Sequence, residues 1–140
     1  MLGGTSLSGA DEGGSKAARP TDLIESIREL SDRVTIIPSQ MPAVPAAELV
    51  AAIQAIAGED ALSEQGAPDV RFLVVGCHTE KRVLAIATYL RNVLGYEHVA
   101  VSSHLVGSAT RDAHFAVLRH NLPAAGVRVL LDLEETAEYA

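Results

Sequence analysis

Tryptophan is absent from the sequence, cysteine occurs once, and aromatic residues make up 4% of the 140 positions. A core so poor in aromatics must be built from Ala, Val, Leu and Ile. That composition suits helices packed on a parallel sheet better than a sandwich or an aromatic-lined groove. A single cysteine, Cys77, excludes an internal disulfide and a multi-cysteine zinc site. It is compatible with a reducing compartment, and a cytoplasmic location is expected. No apolar run approaches the roughly 18 residues of a membrane span. The first residues lack the basic and apolar regions of a secretory signal, and Leu2 breaks the N-myristoylation pattern. No membrane partner is expected. Clustered positive charge is missing too. The net charge is −7, and Arg71, Lys81, Arg82, Arg91, Arg111, Arg119 and Arg128 are scattered. Such a chain repels phosphate backbones, so no nucleic-acid partner is expected.

What is present is a globular composition, 48% hydrophobic and 21% charged. Residues 1–20 are Gly- and Ser-rich and read as a disordered tail, because they cannot bury enough surface to offset their ordering entropy. Residues 21–140 read as a single α/β domain. Thr21 or Asp22 is placed to cap a helix carrying Leu23, Ile24, Ile27 and Leu30 on one face. Arg33 to Ile37 is a β-branched run that predicts a strand. Three prolines from Pro38 to Pro45 demand a loop. Ala47 to Ala57 predicts a helix with Leu49, Val50, Ile53 and Ile56 inward, and Gly58 to Pro68 reads as a connection.

Val70 to Val75 predicts a strand covered on both faces. A helix follows from Thr79 to Leu94, with Val83, Ala87, Leu90 and Leu94 inward and Gly95 as its stop. A strand is expected over His98 to Ser102. The next helix, Thr110 to Leu122, ends at Pro123 and Gly126, and Val127 to Leu133 predicts a last strand. Strands alternating with helices mean an open, mostly parallel sheet with helices on both faces, a Rossmann-like three-layer architecture. Ligands bind such sheets beyond the carboxyl ends of the strands. The loops there are Ser39–Pro45, Gly76–Thr79 and Ser103–Ala109.

Cys77 follows Gly76 and precedes a helix start, where free amides can favour a thiolate. His78 or His104 would serve as its base. The alternative is that Cys77 is a small core residue at the end of a buried strand. A zinc site from Cys77, His78 and His104 has no supporting CxxC or HxxxH spacing, so neither a metal nor a cofactor is expected. Gly107-Ser-Ala-Thr110 could hold an anion or nucleotide at a helix start, but matches neither GxGxxG nor a Walker A motif. The carboxylates show no pairing that spacing can establish, and Asp132 reads as solvated.

The second half resembles the isochorismatase-like cysteine hydrolases, a superfamily that includes the nicotinamidases. Their pattern is an apolar strand, then Gly-x-x-Thr-x-x-Cys-Val opening a helix. The matching residues are Phe72 to Gly76, Thr79, Val83, Ala85, Ala87, Gly95-Tyr96, Val99, Val101, His114, Leu118 and Gly126. Val34 to Ile37 and the helix at Glu48 fit more weakly, and about half the chain is covered. The resemblance implies the family's fold in truncated form, but the chemistry departs from it. The family's nucleophile position holds Arg82, a permanent cation that cannot attack a carbonyl. No strand supplies the family's catalytic Asp, and its Lys should fall near Ser39-Gln40, where there is none. The acidic residue after the family's fifth strand is replaced by Ser102-Ser103. The expectation is a protein without hydrolase activity that acts by binding a small molecule through Gly76, Thr79, Arg82 and Ser103, or by assembling as a homo-oligomer. The alternatives are an active hydrolase on a small amide, ester or vinyl ether using Cys77, and the anion- or nucleotide-binding module.

Overall fold

A computed structural model describes residues 29–30, 34–40, 43–62 and 70–140. The tail over residues 1–20 and nearly all of the helix expected after Pro20 lie outside the described residues. The compact unit Ile36–Ala140 carries every element below.

Residues 34–40 are irregular, not the expected strand. A β-branched run is stabilised by packing on a pleated, half-buried surface. Here Ile36 is 61% exposed, and Pro38 has no amide to offer a ladder. Helix α1 spans Ala46–Ala57. It buries Ile53, with Leu49 packed on the same cluster, while Ile56 lies outside at 75% exposure, contrary to the expected face. Its last amides are followed by Gly58, whose N–H donates to the Gln54 carbonyl.

Strand β1 is Arg71–Cys77, and the helical residues 79–93 form α2. Strand β2, His98–Gly107, runs well past the expected Ser102. The helical residues 111–124 form α3, and strand β3 is short, Arg128–Leu130. The chain then turns into a helix the sequence reading did not foresee, α4, Leu133–Tyr139. The strands form a parallel sheet in the order β1-β2-β3, with Phe72 opposite Val99 and Val101 opposite Val129.

Side chains alternate across a strand. Val99 and Val101 face a cluster shared with Val83, Ala87 and Leu90 of α2 and Val117, Leu118 and Leu122 of α3. The other face of β2 meets α4 through Ser102 Oγ, 2.8 Å from Thr136 Oγ1. Helices therefore cover both faces, but unequally. α4 packs mainly on β2 and β3, so Val75 of β1 is 50% exposed and β1 is not the doubly covered strand that was expected.

α2 opens and closes with wide turns, in which Val83 donates to the His78 carbonyl and Leu94 to that of Tyr89. Burying Val83 and Leu90 is worth about 1.5–3 kcal/mol each. That outweighs a weakened backbone bond or two at about 1 kcal/mol net each. Pro123 does not stop α3. It sits inside the last turn, Leu122–Ala124, after a wide turn at Val117–Asn121 that accommodates a residue without an N–H. The stop comes at Gly126, whose φ of 80° suits glycine and whose carbonyl accepts from Arg91 Nε at 3.2 Å.

Candidate functional site

At the carboxyl end of β1 the chain leaves the sheet through Gly76, at φ 117°. The peptide between Cys77 and His78 is cis, and His78 precedes the first turn of α2 in an extended conformation. Cys77 is exposed, which removes the core-residue reading. The physical reason is the one that exposes Val75: β1 runs beyond the part of the sheet that is covered. Cys77 pairs with Gly107 through the backbone ladder, and no hydrogen bond to its thiol occurs among the described residues. His78 is also exposed.

Thr79, by contrast, is fully buried, and its hydroxyl lies 2.9 Å from His114 Nδ1. This bond ties the start of α2 to α3. Their pairing across 35 positions could not be read from spacing.

Three residues further on, the half-buried Arg82 donates from Nη1 to Ser39 Oγ at 2.6 Å. Arg82 is thus fastened to the Pro-rich loop. Glu80, on the same turn, accepts a hydrogen bond from Ser108. That bond, then a backbone amide, then the nearby His78 and Lys81 hold its carboxyl below the usual range, against the opposing effect of desolvation. Ser108 is therefore engaged by a carboxylate. Thr110 is occupied as the cap of α3, accepting from the Ala113 amide. A negative charge on the Gly107–Thr110 loop disfavours an anion there.

Ser103 and His104 are placed elsewhere. The ladder steps from Val74 opposite Val101 to Gly76 opposite Val106, so two positions of β1 span five of β2. The surplus forms a bulge. Ser103 Oγ donates from it to the Leu131 carbonyl at 3.2 Å. Bulge, α3 and the end of β3 enclose a cleft of about 600 Å³. Its polar lining is Ser103, His104, His114 and Arg119, and its apolar lining is Phe115, Leu118, Val129 and Leu131. Cys77 does not line it. The structure thus brings Thr79, His114 and His104 to one side and leaves the Cys77–His78 pair on another.

No group of three or more His, Cys, Asp or Glu able to hold a metal occurs among the described residues. No helix among them is long and apolar enough to cross a membrane. No protein family, curated protein or solved structure matches the chain.

Proposed function

We propose that this chain is a non-hydrolytic relative of the isochorismatase-like cysteine hydrolases that works by binding, with homo-oligomeric assembly as its structural setting. The observation that carries this reading is Arg82. It occupies the nucleophile's place in the Gly-x-x-Thr-x-x-Cys-Val pattern and is held by a 2.6 Å hydrogen bond to Ser39. A guanidinium fixed in that position offers charge and hydrogen bonds but no lone pair for attack. The buried Thr79 and its bond to His114 support the fold half of the reading, since both residues match the pattern. The exposed Cys77 is the alternative nucleophile. A working thiolate needs an oriented base within hydrogen-bond reach, and no bond joins the thiol to His78 or His104.

Iodoacetamide at neutral pH tests this, together with turnover of small amides, esters and vinyl ethers. Cys77 is expected to label no faster than a free cysteine, with no turnover that depends on it. Labelling accelerated a hundredfold, or hydrolysis abolished in Cys77→Ala, would overturn the reading in favour of a relocated nucleophile.

A further inference from the structure

The cleft between the β2 bulge, α3 and the end of β3 has the size and lining of a small-molecule site. Its volume of about 600 Å³ lies within the roughly 300–1,000 Å³ of ligand pockets. It opens at the β2 bulge and the carboxyl end of β3, and open parallel sheets bind ligands beyond the carboxyl ends of their strands.

The polar lining is one-sided in charge. Arg119, His104 and His114 line the cleft, and among the described residues no carboxylate does, in a chain whose net charge is −7. Arg128 is paired with Glu135 at 2.7 Å, whereas Arg119 makes no ion pair among the described residues. His114 spends Nδ1 on Thr79, leaving Nε2 as the ring nitrogen the fold does not use. Ser103 has given its proton to the Leu131 carbonyl, so it is no donor for a ligand. The donors left to the cleft therefore suit a single anionic head.

The rest of the lining is aliphatic and graded in depth. Leu118 is 7% exposed at the floor, Val129 is half-buried, and Leu131 is 71% exposed at the lip. The Phe115 ring already carries the Arg111 and Arg119 guanidinium groups, at 5.4 and 5.3 Å from its centroid. Its π surface is engaged by cations, which favours an aliphatic body in the ligand over a stacked aromatic one.

We infer that this cleft binds a small organic anion with an aliphatic body, its head on Arg119 and the histidines and its chain against Leu118, Val129 and Leu131. The inference rests on the binding half of the proposed function but on residues remote from the nucleophile question. Hexanoate is the probe, with 1-hexanol and hexylammonium as neutral and cationic isosteres, followed by titration calorimetry and by NMR shifts on the full chain.

Hexanoate is expected to bind about tenfold or more tightly than either isostere, as loss of a charge-assisted bond implies. Arg119→Gln removes that preference, while Arg111→Gln, which takes the same charge from the same ring but does not line the cleft, keeps it. Leu131→Ser, at an exposed position that folding tolerates, weakens hexanoate severalfold. Absence of hexanoate binding overturns the inference. So does equal affinity for hexanoate and 1-hexanol, or equal losses in Arg119→Gln and Arg111→Gln. Cys77-dependent hydrolysis would sink the non-hydrolytic reading and leave hexanoate binding standing, so the two can fail separately.

Discussion

Tyr96 shows how one residue joins several parts of the fold. It follows Gly95 at the end of α2, is 5% exposed, and packs its ring 4.6 Å from that of Phe72 on β1. Its hydroxyl donates to the Ala61 carbonyl at 2.7 Å, and burial pushes its ionisation up. Tyr96→Phe keeps the ring and removes only the donor to a buried carbonyl. The expected loss is about 1–2 kcal/mol, read as a lower urea midpoint at unchanged m. Ser102 is a similar case. Thr136 spends its proton on the Asp132 carbonyl, so Ser102 must be the donor in the buried hydroxyl pair. Ser102 is here a fastener between sheet and helix.

At the scale of elements, α4 is the addition that the sequence reading missed. Its start is written in Asp132-Leu-Glu-Glu135, an acidic cap with a glutamate three residues on. Asp132 Oδ1 accepts from the Glu135 amide at 2.7 Å, so a carboxylate that spacing alone reads as solvated is a cap. Glu135 in turn accepts from the Leu131 amide and from Arg128. The amide first and Arg128 second hold its carboxyl below the usual range. A carboxyl depressed by folding contributes stability that is present above its unfolded pKa and lost as pH falls through the folded one. Glu135→Gln is therefore expected to melt below the wild type near neutral pH. The gap should close as pH falls below the ordinary carboxylate range, followed by circular dichroism. A gap that is unchanged in acid would remove the carboxylate from the account.

For the whole molecule, the unequal cover of the sheet matters most. Among the described residues β1 and β3 each pair on one side only; Val75 of β1 is 50% exposed, and Leu131 and Leu133 just beyond β3 are 71% and 59% exposed. An open strand edge beside apolar surface is a template for another chain, and folded proteins cover such edges. Light scattering after size exclusion at tens of micromolar is expected to give a dimer or larger species. A clean monomer there would count against assembly as the setting of the protein.

The sequence by itself determined the alternation of strand and helix from Arg71 onward, because inward positions such as Val83, Ala87 and Leu90 repeat with the helical period and Val99 and Val101 with that of a strand. What it could not supply was anything settled by cover. Val34 to Ile37 has the composition of a strand but no pleated surface to lie on, Ile56 falls just outside the face that Ile53 buries, and Cys77 stands clear of the core because α4 leaves that end of β1 bare. The cleft was beyond reach for a related reason. Its walls come from a bulge, a helix and a strand end far apart in the chain, and only the sheet register and the packing of α3 bring His104, His114, Arg119 and Leu131 around one space.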